Sequence, residues 1–139
     1  MSANFSNKVL GWSKRAAAQM DYTVKGASVD FFSRLVMRTP VDTGRARGNW
    51  NVVVTSGYKG WSADYDENRF DKTGATTIER ARAVLENSPG KRAYISNNTP
   101  YLVYLDKGWS NQAPHGIVQI TVSEFSKIVD THAKRVKRA

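Results

Sequence analysis

Along the first quarter of the chain apolar residues recur every three or four positions: Phe5, Val9, Trp12, Ala16, Met20, Val24, Ala27, Phe31 and Leu35. That spacing is the repeat of one helical face and predicts a long amphipathic helix from about Asn4 to Arg38. Glycine inside a helix costs about 1 kcal/mol relative to alanine, so Gly11 and Gly26 weaken it, and a bend or break is expected near Gly26. Pro40 disfavours helical geometry at Thr39, which sets the end close to Arg38.

The pattern then changes period. Asn49 to Thr55 is rich in β-branched and aromatic residues, with Trp50, Val52 and Val54 on one face, and reads as a strand. Tyr58 to Thr73 is polar, spotted with aromatics and without a clean period, so it reads as a loop with a short strand around Trp61. Long loops in compact domains are commonly binding surfaces. Thr76 to Glu79 resembles a capping box, and Ile78, Ala81 and Leu85 continue a helical stripe until Asn87-Ser88-Pro89-Gly90 stops it. Arg92 to Asn97 reads as a second strand. Thr99 and Pro100 read as cap and first residue of a short helical turn, with Tyr101, Val103, Tyr104 and Leu105 on its apolar side. A final helix follows Pro114 and runs almost to the end, with Val118, Val122, Phe125, Val129, His132 and Val136 along one side. The expected fold class is α+β: long N-terminal and C-terminal helices packed on a small, mainly antiparallel β-sheet with a short middle helix. At 139 residues the whole chain reads as a single domain with one core.

Composition narrows the chemistry. Cysteine is absent, which excludes disulfides and a thiolate nucleophile, and two histidines cannot by themselves fill a typical zinc site. No metal and no cofactor are expected. No apolar run approaches bilayer length, and the opening MSANFSNKVLGWSKR lacks the ordered regions of a signal peptide, so a cytoplasm-like compartment is expected. The net charge of +9 invites a polyanionic partner. Part of the excess lies between Ser126 and Ala139, where Lys127, Lys134, Arg135, Lys137 and Arg138 face only Asp130. Such a run reads first as a solvated helix end whose cations suit the negative end of the helix dipole. A small basic nucleic-acid-binding domain is the alternative.

One triplet raises catalysis directly. Asp42-Thr43-Gly44 spells the active-site motif of aspartic proteases, whose chemistry needs two carboxylates sharing one proton in a mostly β fold. Pro40 argues against the strand such enzymes place before the triplet, and the second, apolar-apolar-glycine element is missing. The expected role is structural: Asp42 bonding a backbone N–H two residues on, and Gly44 supplying positive φ. Pro40, Asp42, Thr43 and Gly44 would then form the turn that leads the first helix into the Trp50 strand. Arg45 and Arg47, just beyond it, stand open between surface charges and partner contacts. Ser88 to Arg92 lacks the residues of a phosphate-cradling loop. His115 reads as a loop residue and His132 as packed or partly exposed. No catalytic residue is expected.

Two segments carry a resemblance: TPVDTGRARGNW, Thr39 to Trp50, and NNTPYLVYLDKGWSNQAPHG, Asn97 to Gly116. Together they resemble the neck or tail-completion proteins of long-tailed bacteriophages, also described as minor tail components. In that family a Pro-Val-Asp-Thr-Gly turn and a tryptophan precede the first strand. An Asn-x-x-Pro-Tyr element and a Gln-Ala-Pro-x-Gly element later lead into the closing helix. The likeness spans Thr39 to Phe125, departs mildly at Leu102, Val103, Asp106 and Trp109, and is without motif from Tyr58 to Gly90. It implies a non-enzymatic virion protein of the head–tail joint, present in host cytoplasm during assembly. Copies would contact one another in a ring, six being the family expectation, and would touch neighbouring neck, tail-terminator or tail-tube proteins. DNA would be near but not read by sequence. On this reading the candidate partner contacts are Arg45, Arg47, Tyr101, Trp109, Gln112 and Pro114. Tyr104 is assigned to the core and Trp109 to a partner, and Gly108 with Gln112 to Pro114 forms a fixed loop.

Overall fold

The structure, a computed structural model, describes residues 2–56 and 63–138. Helix α1 (Ser2–Arg38) runs 37 residues without interruption, about 55 Å at 1.5 Å per residue. A short helix α2 (Arg45–Gly48) leads into strand β1 (Asn51–Thr55), then helix α3 (Ala75–Leu85) and strand β2 (Arg92–Ser96). Three helices close the chain: α4 (Leu102–Asp106), α5 (Val118–Ser123) and α6 (Phe125–Arg138). The two strands pair antiparallel, Asn51 opposite Ser96 and Thr55 opposite Arg92. The fold is α+β with long terminal helices and a short helix between the strands, as the hydrophobic pattern predicts.

The core gathers Phe32, Leu35 and Val36 of α1, Trp50, Ala81 and Leu85 of α3, and Ala113 and Ile117 before α5. Val52, Val54 and Ile95 bring the sheet against it, so the strand face expected from Trp50, Val52 and Val54 is the inner one. Helix α3 packs on both α1 and β1. Helix α6 lies antiparallel to α1, because ascending α6 positions meet descending α1 positions. Phe125 meets Phe31 edge to face at 5.9 Å, and His132 Nε2 lies 3.0 Å from Asp30 Oδ2.

Several expectations are corrected. Helix α1 continues unbroken through Gly26; the His132 ring occupies the space a side chain would take, its Nδ1 only 2.5 Å from where a Cβ would sit. This glycine permits close helix approach. The α1 stripe is only partly a core face: Ala27 and Leu35 are buried, but Phe5, Val9, Trp12, Met20 and Val24 are exposed, and α6 reaches back only to about Arg15. The single closing helix is two helices, parted at Glu124, whose carboxylate is held by Arg34 and Arg38. Thr121 and Ile128 turn inward, while Val118, Val122 and Phe125 stay exposed.

Helix α3 starts one residue before Thr76, with Gly74 as its cap at φ 78. Glu79 pairs with Arg82 instead of closing a capping box. The capping oxygens come from Asp71, which accepts from Gly74 N–H (3.1 Å), Thr77 N–H (2.8 Å) and the Thr77 hydroxyl (2.7 Å). Helix α4 begins at Leu102, after Thr99 and Pro100. Thr99 is instead drawn back by its N–H and hydroxyl bonds to Asn97 Oδ1, at 3.0 and 2.6 Å. Tyr104, assigned to the core, is exposed, because α4 is a short helix packed only through Leu102 and Leu105. Residues 63–73 contain no helix or strand, in keeping with a loop, and the strand expected around Trp61 lies outside the described residues.

Candidate functional site

The site grows from the end of α1. Thr39 is buried there; its hydroxyl donates to the Leu35 carbonyl (2.8 Å) and accepts the Trp50 indole N–H (2.7 Å). That pins the start of β1 to the last turn of the helix. Arg47 satisfies the neighbouring carbonyls, donating to Thr39 O at 2.9 Å and Met37 O at 3.0 Å, and reaches Lys72 O at 2.7 Å. A helix end leaves its last carbonyls without partners inside the helix, and a cation there is favourable. Burial lowers the Arg47 pKa, with the Asp71 charge opposing. Arg47 therefore serves the fold.

The turn is built differently from its expected form. Gly44 adopts φ 87, and a Cβ there would lie 2.5 Å from Lys72 N. Its carbonyl accepts from Gly48 N–H (2.9 Å) and Asp71 N–H (3.0 Å), so the turn is also the seat of the loop before α3. The side-chain oxygen that bonds two residues on is Thr43 Oγ1, accepting from Arg45 N–H at 3.3 Å. Asp42 is exposed and makes no side-chain hydrogen bond among the described residues. Gly44 and Thr43 already complete the turn, leaving the carboxylate in solvent.

The second motif closes on the first. Gln112 accepts from Val41 N–H at 2.8 Å and donates to Val41 O at 2.9 Å. Asn97 Nδ2 donates to Ala46 O at 2.8 Å. Asp106 Oδ1 accepts from Ile117 N–H and Val118 N–H, at 2.9 and 2.8 Å, and so caps α5 from eleven residues upstream. Gly108 and Gly116, both at positive φ, let the chain pass against the carbonyls of Pro114 and Asp106. The expected fixed loop from Gly108 to Pro114 is present, and Ala113 is buried beneath it.

Between the two segments lies a cleft of about 300 Å³, lined among others by Pro40, Asp42, Arg45, Tyr101, Leu105 and Gln112. Arg45 turns toward the loop: Nε donates to Glu67 O at 3.0 Å, and the guanidinium sits 5.0 Å from the Phe70 ring centroid. Burial raises the Tyr101 pKa, Tyr65 adding to the effect. Beside the cleft Trp109 is 72% exposed and stacks on Tyr104, ring centroids 4.6 Å apart. Of the candidate contacts, Tyr101, Trp109 and Pro114 face solvent, whereas Arg47 and Gln112 bond their side-chain polar groups within the chain and Arg45 bonds through its Nε. Residues that sequence reasoning missed, Asp71, Asn97 and Asp106, bond atoms whose nearness only the fold creates.

His115 is exposed, and His132 is bonded to Asp30. Among the described residues no group of three or more His, Asp or Glu is placed to hold a metal ion, and no helix is long and apolar enough to cross a membrane. The positive charge is polarised: residues 4–25 of α1 and 126–138 of α6, two helices that pack on each other, carry nine Lys and Arg against two Asp, a net +7 of the molecule's +9. Comparison with known families, curated proteins and solved structures finds no match to this chain.

Proposed function

We propose that this chain is a structural protein of a tailed-bacteriophage particle, joining tail to head through ring-forming protein–protein contacts. The sequence resemblance motivates the reading, and the observation that supports it best is the stacked, solvent-facing pair Tyr104 and Trp109 beside the cleft. Large rigid aromatics left in solvent by a fold that has its own core suit a protein interface. In this reading Asp42 has no catalytic task.

The test is Trp109→Ala in phage carrying the variant. An interface tryptophan can contribute about 2 kcal/mol or more to binding, and this one is too exposed to be needed for folding. Circular dichroism should be unchanged while heads and tails accumulate unjoined. Joined particles at parental yield, or particles lacking the chain, would overturn the proposal.

The charge polarity favours a second reading, a nucleic-acid-binding domain. Phosphate binding weakens steeply between low and physiological salt. A duplex titration at two salt concentrations separates it from apolar assembly, which salt does not weaken.

A further inference from the structure

Helix α1 outruns the fold. The last turns of α6, at Arg135 and Val136, lie beside Arg15, Ala18, Gln19 and Tyr22, and residues 4–10 and 12–14 beyond them are all exposed. This arm presents Phe5, Val9 and Trp12, spaced i, i+4, i+7, with Phe5 71% and Trp12 66% exposed. The arm continues a helix that its packed part already nucleates, so it needs no partner to form and only Gly11 weakens it locally. What calls for cover is the apolar side it leaves in solvent.

A second uncovered stripe lies at the opposite end. Val118 and Val122 stand one turn apart on α5 and Phe125 opens α6, all exposed. Val103 joins them across a shallow groove that it lines with Val118. The two stripes cannot meet within one chain. Phe125 packs on Phe31, and 26 residues of helix place Phe5 about 39 Å away.

We infer that the arm of one copy docks on the groove that Val103 and Val118 line on the next, with Val122 one turn further along α5. This rests on the self-assembly reading and names its contact. Charge supports the head-to-tail arrangement: the arm carries Lys8, Lys14 and Arg15 with no carboxylate before Asp21, so two arms side by side would repel. Residues 97–123, by contrast, balance one Asp and one Lys. Phenylalanine and tryptophan can each bury roughly 150–250 Å², so the two aromatics and the valines together stay below the roughly 1,000 Å² of a stable specific interface. A pair would be weak. Because the contact joins unlike surfaces, it propagates, and gives a closed ring when the rotation between copies closes.

Sedimentation velocity over a concentration series tests this with three proteins: the parent, an arm variant (Phe5→Ser with Trp12→Ser) and a groove variant (Val103→Lys with Val122→Lys). The parent should form oligomers, and each variant alone should remain monomeric with parental circular dichroism. Mixed, the variants retain one arm and one groove between them and should give dimers and nothing larger. A parent that is monomeric throughout, an arm variant that assembles like the parent, or a mixture that stays monomeric overturns the inference. So does an arm variant that loses duplex DNA binding but keeps self-association. Head-to-tail assembly by a protein absent from phage particles would refute only the virion role; chain-containing particle rings unaffected by the arm variant would refute only this contact.

Discussion

Gln112 binds both backbone polar groups of Val41, accepting from the N–H at 2.8 Å and donating to the carbonyl at 2.9 Å. A side-chain amide thus takes the place of a neighbouring strand and joins two segments 71 positions apart. Gln112→Ala removes both bonds at an exposed position where water can replace them, so the expected loss is small, about 1 kcal/mol. Urea unfolding should show a lower midpoint with an unchanged slope. A midpoint equal to the parent's would mean that the two segments hold together without this amide.

Gly26→Ala sets propensity against packing. In an isolated helix alanine would gain about 1 kcal/mol, but here its Cβ would stand 2.5 Å from His132 Nδ1. Displacing the ring also breaks its bond to Asp30. Net destabilisation of about 1–2 kcal/mol is expected. In a His132→Ala background the same change should become neutral or stabilising. A double-mutant cycle on thermal unfolding reads the coupling.

The turn makes opposite predictions for neighbours. Asp42 is exposed and without a hydrogen bond among the described residues, so Asp42→Asn should shift stability by less than about 0.5 kcal/mol. Gly44→Val forces a β-branched residue to φ 87 and drives its Cβ into the backbone at Lys72. A loss of more than about 3 kcal/mol, or failure to fold, is expected. An Asp42→Asn protein that folds normally yet fails in particle assembly would point to a direct role for the carboxylate.

Acid should unfold the protein through three carboxylates. Burial alone would raise the pKa of Asp71, but bonds from Thr77, Gly74 and Thr73 outweigh it and leave it lowered. Asp30 behaves alike, burial being outweighed by Arg34 and His132. Glu124 is lowered chiefly by its bond from Arg38. A depressed folded pKa gives stability that is fully present above the unfolded value, near 4, and lost as pH falls through the folded one. Melting temperature should therefore be flat above about pH 5 and fall below about pH 4. Asp71→Asn should be less stable than the parent at neutral pH, with the gap narrowing in acid; a constant gap would remove Asp71 from the account.

The sequence by itself determined the elements whose signals are local. A 3.6-residue period sets out α1, Pro40 marks its end, β-branched runs mark β1 and β2, and Gly44 carries the turn. These follow from backbone sterics and from the repeat of one face, which need no distant partner. What covers each face was decided only by the tertiary structure. The α1 stripe reads as one uniform strip from Phe5 to Leu35, yet α6 and α3 cover only part of it, because an amphipathic pattern specifies a face without saying how far its partner extends. Gly26 reads as a helix breaker until His132, 106 residues later, occupies the missing Cβ. Asp71, Asn97, Asp106 and Gln112 carry no periodic signal, since each bonds a backbone group brought near only when the chain has folded. Arg47 shows the same limit: left open by sequence between a surface charge and a partner contact, it caps α1 once the turn at Gly44 carries it back onto the carbonyls of Met37 and Thr39.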